Sequence, residues 1–232
     1  MGITDSMSTT IFDEAREYLV TFLKDKANRL ESIHPWRRHW KFMVLHSLRV
    51  ESYALKLLAE EEHRLGEMEC RSLQLAAILH DIGRLEETEN HAKTGAEITD
   101  RWLRGDPEGR LQPAEIERVV ELIADHSNKS QREPDLAKAI LKDADLLDEI
   151  GAMSIFMAGN WLDRESPFFF YHLQQRLVDV ELPFCDRQLS RLSTAAAIKI
   201  LKRKKTFVES FIAQLSDELQ ADSQIESRLL TI

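Results

Sequence analysis

The sequence predicts an all-α protein, a helical bundle in a single structural domain. Apolar residues recur at helical spacing along almost the whole chain. Gly and Pro number only 8 and 6, too few for a turn-dense all-β fold. Alternation is nearly absent, and VDVELPF is the one short candidate strand. At 232 residues, one large domain buries a sizeable core without disulfide staples.

The first helix is expected over Ile11–Lys26, where Ile11, Phe12, Tyr18, Leu19, Phe22 and Leu23 form one stripe. Pro35 and a basic, aromatic stretch, His34–Trp40, interrupt it. A second helix runs from about Trp40 to Arg64, with Gly66 as its stop. The third, Met68–His80, ends in LQLAAILH, apolar on nearly all faces and therefore in the core, and stops near Gly83. The polar connection RLEETEN leads to a helix over about Ala92–Leu103 with Gly105 as terminator. Pro113 suits the first turn of the helix AEIERVVELIADH. Pro134-Asp135 opens one long helix through LAKAILKDADLLDEIGAMSIFMAG. Ser166-Pro167 reads as an N-cap and first-turn proline before FFFYHLQQRLVD. The last helix spans roughly Ser193–Leu219.

Charge narrows the function. Lys and Arg total 31 against 40 Asp and Glu, a formal net charge of -9, and the mean hydropathy is -0.34. An acidic surface repels nucleic acid and anionic lipid, so neither is an expected partner. The KRKK run at 202–205 is read as a solvated stripe and Phe168–His172 as core or lid. The N-terminus lacks the basic start and apolar run of a signal peptide, and no stretch reaches a membrane span. Two isolated cysteines, Cys70 and Cys185, fit a reducing compartment, and a cytoplasmic location is expected.

The chemistry concentrates on histidines and aspartates. His80-Asp81 closes an apolar helix, where a carboxylate is costly unless paired or metal-bound. His46 sits between apolar residues of the second helix, and Asp145 in AILKDADLLDEIGAM. Two imidazoles and two carboxylates suit a divalent ion of the manganese, iron, nickel, zinc or magnesium kind, with positions left for water and substrate.

His46, His80-Asp81 and Asp145, with HSLRV, AAILHDIGR and DADLLDEIGA around them, resemble the H…HD…D signature of the HD-domain metal-dependent phosphohydrolases. The nearest likeness is to bacterial HD hydrolases of the nucleotide-pyrophosphatase-like kind, which carry a DADRLDAIGA-type segment and a C-terminal helix beginning Thr-Ala. The resemblance covers roughly Leu45 to Gly159. It implies an HD-type helical fold with an N-terminal helical segment at 1–35, a metal-binding core at 36–165 and C-terminal helices at 166–232 packed on that core. It implies His46, His80, Asp81 and Asp145 as ligands of one metal ion (manganese, nickel, cobalt, iron or magnesium). The Ala-Asp-x-Leu context selects Asp145 over Asp143, and the chain departs from the common form at Leu146, where Arg or Lys is frequent.

His91 heads HAKTGAE, resembling the H-x-x-x-G-A-E segment of relatives that bind two metals, and His126 ends ELIADH. The six residues together hold either two ions bridged by Asp81, or one ion with two histidines that bind phosphate or shuttle protons. The expectation is one ion, with His91 and His126 in the cavity but not obligatory ligands, because RLEETEN should leave His91 mobile. Asp81, His91, His126 and Arg84 are the expected catalytic residues; Arg84, Arg49, Lys93 and His126 the expected substrate contacts. Glu86 and Glu87 are candidates to orient water, and Asp148 to cap or orient a neighbour. His34, His39, His63 and His172 are read as structural.

The expected function is hydrolysis of a nucleotide or another small phosphorylated metabolite by metal-activated water. Two alternatives differ in class. A dinuclear-iron HD-fold oxygenase would contain iron and consume oxygen; a non-catalytic nucleotide-binding HD domain would bind tightly without turnover.

Overall fold

The structure is a computed structural model that describes residues 10–26, 32–61, 64–106, 108–129, 132–220 and 228–229. His63 lies outside them. The described residues contain helices and no strand, and no helix is long and apolar enough to cross a membrane.

The helices are α1 (Ile11–Asp25), α2 (Trp40–Glu60), α3 (Glu67–Leu79), α4 (His91–Arg104), α5 (Pro113–Asp125), α6 (Leu136–Leu147), α7 (Ala152–Ala158), α8 (Phe169–Arg176), α9 (Leu182–Arg191) and α10 (Ala195–Leu219). The chain divides into two compact units, Met1–Asp145 and Leu146–Ile232.

In the first unit α3 is the central helix, packed against α1, α2 and α5, while α4 lies against α5. Its apolar run explains the position: Leu73, Leu75, Ala76, Ala77, Ile78 and Leu79 are all buried. Each neighbour turns one stripe inward, as with Ile116, Val119, Leu122 and Ile123 on α5. Thr10 caps α1 in a reciprocal box with Asp13, and Pro113 occupies the first turn of α5. Between α5 and α6, Arg118 holds Asp135 at 2.7 Å, and the buried Lys142 holds Asp125 at 2.6 Å and Glu133 at 2.7 Å.

The second unit has its own core of Ile155, Ala158, Leu173, Leu177 and Val208. Thr194 caps α10 through its hydroxyl, which accepts from the Ala197 N–H at 3.3 Å.

Several sequence expectations are corrected. Helix α2 ends at Glu60, and Gly66 is the N-cap of α3, not a stop. The long helix through DADLLDEIGAM breaks after Leu147: Glu149 has φ 61° and Gly151 φ 94°, conformations no continuing helix holds. The Lys204 ammonium donates to the Leu147 carbonyl at 2.5 Å, satisfying an acceptor the next turn would have used. With Lys205 on Asp186 at 2.6 Å, half of the KRKK run is thus engaged in packing, not a free solvated stripe.

The candidate strand VDVELPF is helical, a single π turn at Leu177–Glu181 leading into α9. Its β-branched Val178 and Val180 are exposed, whereas Leu173 and Leu177, one turn apart, are buried; burial overrides strand propensity. Helix α8 starts at Phe169, because Ser166 accepts from Phe168 and Phe169 in a turn before it.

Candidate metal centre

Five helices bring the predicted residues together. His46 lies mid-way along α2, and His80 and His126 are the C-caps of α3 and α5. His91 is the first residue of α4, and Asp145 lies in the last turn of α6.

Helix ends determine how the imidazoles are presented. The last carbonyls of a helix have no intrahelical partner. His80 Nδ1 bonds to the Ala77 carbonyl at 3.0 Å, and His126 Nδ1 to the Ile123 carbonyl at 2.7 Å. His91 Nδ1 similarly bonds to the Thr88 carbonyl at 3.0 Å. A carbonyl only accepts, so each Nδ1 carries a proton and each ring turns its Nε2 to the cavity.

The Nε2 atoms converge on two carboxylates. His46 Nε2 is 3.2 Å from His80 Nε2 and 3.5 Å from both Asp81 Oδ2 and Asp145 Oδ1. His80 Nε2 is 3.8 Å from Asp81 Oδ2 and 4.0 Å from Asp145 Oδ1. Ligands about 2.1 Å from one ion lie roughly 3.0–3.4 Å apart in octahedral or tetrahedral arrangements, so small adjustments close this shell. The other Asp81 oxygen, Oδ1, faces His126 Nε2 at 3.4 Å and His91 Nε2 at 3.5 Å. Asp81 Oδ1 and His126 Nε2 are buried with no hydrogen-bond partner among the described residues. Buried polar atoms are rarely left so, and a divalent cation would satisfy both. The residues therefore fit a metal ion.

Two cations flank the carboxylates. Arg84 Nε donates to Asp81 Oδ2 at 2.7 Å, and its Nη2 lies 3.2 Å from His91 Nε2. Lys129 donates to Asp145 Oδ2. The sequence reading missed Lys129. It stands on the α5–α6 connection three residues after His126, and no helical period marks it.

Lys93 is exposed on α4, and the Arg49 guanidinium lies 5.4 Å from the Phe42 ring centre. Glu86 pairs with Lys26 at 2.5 Å, and Glu87 accepts from Asn90 and Thr94 at the head of α4. His39 caps α2, its Nδ1 accepting from the Lys41 N–H at 3.1 Å.

His91 is not loosely tethered, contrary to the expectation drawn from RLEETEN. It is buried, and a Cβ on Gly83 would lie 2.4 Å from both the His91 carbonyl and the Gly95 nitrogen. The bare glycine therefore lets the first turn of α4 sit directly on the turn after Asp81.

Burial lowers the His80 pKa to about 4, so the ring is neutral near pH 7. Burial also works to raise Asp145 and Asp81. The Lys129 ammonium beside Asp145 and the Arg84 guanidinium beside Asp81 work against it, and both carboxyls are held below the usual carboxylate range. A histidine with a depressed folded pKa contributes stability above its unfolded value that is lost on acidification. The metal-free protein should keep constant stability above about pH 6.5 and lose about 3 kcal/mol through His80 as pH falls to about 4. Urea titrations across this range, wild type against His80→Gln, check it; equal slopes would remove His80 as the cause.

The HD domain family model matches residues 43–150, a span holding all six cluster residues. This stretch of the chain is similar to HD domains. The chain also has the fold of solved HD proteins. An HD-superfamily hydrolase from Bacillus thuringiensis is 23% identical over 91% of this chain and 100% of its own, with TM-score 0.59. A predicted HD superfamily hydrolase from an uncultured Thermotogales bacterium is 20% identical, covering 88% and 92%, with TM-score 0.57. YpgQ of Bacillus subtilis, solved in complex with ADP, is 18% identical, covering 90% and 98%, with TM-score 0.54. No curated protein matches the sequence.

Proposed function

We propose that this chain is a metal-dependent phosphohydrolase acting on a nucleotide or another small phosphorylated metabolite. The observation that carries this reading is the charge pattern of the centre. Each carboxylate turns an oxygen to imidazole nitrogens and is bonded to one cation, Asp81 to Arg84 and Asp145 to Lys129. The two pairs cancel and the buried His80 ring is neutral, so a bound divalent ion leaves a surplus of two positive charges. A phosphoryl dianion matches that surplus, whereas a neutral amide or ester leaves it uncompensated in a desolvated pocket.

His46, His80, Asp81 and Asp145 would hold the ion, of the manganese, nickel, cobalt, iron or magnesium kind. Such an ion supplies Lewis acidity toward a phosphoryl oxygen and lowers the pKa of a bound water toward roughly 7. The chain supplies the rest. Arg84 presents a planar fork of donors to phosphoryl oxygens. His126 and His91 hold or pass a proton at Nε2, beside Asp81 Oδ1. The ADP complex of YpgQ supports testing nucleotides first. Nucleotides and phosphomonoesters assayed with manganese, cobalt, nickel and magnesium test the reading. Turnover no higher than in His80→Ala and Asp81→Ala controls overturns it.

A second reading, two ions bridged by Asp81, is favoured by one observation: Oδ2 faces His46 and His80 while Oδ1 faces His91 and His126. With one ion, His91→Ala and His126→Ala should each lower turnover roughly 10²-fold or more and keep about one metal per chain. Two ions in the wild type, with one lost in His91→Ala by elemental analysis, would establish the bridged arrangement instead.

A further inference from the structure

Lys129 donates to Asp145 Oδ2, while Asp145 Oδ1 faces His46 and His80. The ammonium thus stands on the far side of the carboxylate from the imidazoles. The Lys129 side chain is 20% exposed and that of Asp145 10%, so the lysine stands between the buried cluster and solvent.

An ammonium has three N–H groups, and one carboxylate oxygen uses one of them. The nearby Lys142 differs: its ammonium is divided between Asp125 at 2.6 Å and Glu133 at 2.7 Å, and its side chain is only 6% exposed. Among the described residues, Asp145 is the only acidic partner of Lys129. Arg84 flanks the cluster on the Asp81 side, and Lys129 on the Asp145 side. A phosphoryl group bound between them meets a cation from each direction.

We propose that Lys129 is a substrate-binding residue of this centre. Its ammonium keeps Asp145 to a single free oxygen for the metal and gives its remaining N–H groups to a phosphoryl oxygen. The inference rests on the phosphohydrolase reading above and adds to it the residue that grips the phosphate opposite Arg84.

Calorimetry on the full chain separates the two, with Mn(II) alone and then with inorganic phosphate added to the manganese-loaded protein. Lys129→Met should retain the wild-type manganese stoichiometry with affinity within about tenfold. Its phosphate affinity should fall roughly tenfold to hundredfold, the range of a charge-assisted hydrogen bond, and Lys129→Arg should recover part of the loss. Wild-type phosphate affinity in Lys129→Met overturns the role of Lys129 and leaves the phosphohydrolase reading standing. Loss of manganese in Lys129→Met overturns it too, reducing the lysine to a support for Asp145. A wild type that binds manganese but no phosphate overturns both.

Discussion

Replacing Gly83 by alanine should unfold the first unit at markedly lower temperature and take the metal centre with it. The new Cβ would lie 2.4 Å from the Gly95 nitrogen, 2.4 Å from the His91 carbonyl oxygen and 2.9 Å from Gly95 Cα. All three obstacles are backbone, so no rotamer change relieves them. Overpacking a core against movable side chains costs about 1–3 kcal/mol, and this contact lies at or above the upper end. For a domain of this size that is a fall in Tm of about 6–12 °C. The fold can relieve the clash only by pushing α4 away from the turn after Asp81, which displaces His91 from Asp81 Oδ1. Thermal melts with and without Mn(II) check both effects. Gly66→Ala is the control, because nothing lies within 4 Å of a Cβ there and its φ is -73°. A Gly83→Ala protein melting with the Gly66→Ala control would remove the close approach as a constraint.

The same glycine shows where sequence reading succeeds and stops. His46, His80, Asp81 and Asp145 were legible from the apolar helices around them together with the resemblance to the HD signature, and His91 and His126 from the resemblance alone. Their convergence is what the fold adds. Gly83 and Gly95 read separately as a helix stop and a helix interior residue; only the packed backbone shows that each exists for the other. Lys129 carries no periodicity, and its role comes from a contact 16 residues away in sequence. The break after Leu147 was hidden for a related reason. Leu147, Ile150 and Ile155 are all buried, so the apolar pattern continues across a segment whose backbone turns at Glu149 and Gly151. Hydrophobic spacing reports which residues face inward, not whether the hydrogen-bond ladder is continuous. The same limit misled at VDVELPF, where local β-branching outvoted the leucines that set the helical register.

Asp81→Asn should leave the metal-free protein close to wild-type stability and abolish its response to metal. Asn has the shape of Asp without the charge, so the cavity stays filled. In the wild type, Asp81 Oδ1 and His126 Nε2 face each other at 3.4 Å, each buried and without a hydrogen-bond partner among the described residues. An amide Nδ2 in the Oδ1 position turns that pairing into donor and acceptor. The other oxygen position still accepts from Arg84, which is 33% exposed and so tolerates a weaker pairing. Losing the carboxylate therefore costs the metal-free fold little. The metal-loaded protein loses an anion that lies 3.4–3.8 Å from each of His46, His80, His91 and His126. Wild type at a free manganese concentration 100 times its Kd should gain about 2.7 kcal/mol, a rise in Tm of roughly 5–11 °C. Asp81→Asn should show less than about 1 °C, and turnover should fall at least ~10³-fold. An Asp81→Asn protein that melts like wild type without metal and still gains several degrees with manganese would mean that Asp81 is not a ligand. The ion would then belong to His46, His80 and Asp145 alone, leaving Asp81 as the partner of Arg84, His91 and His126.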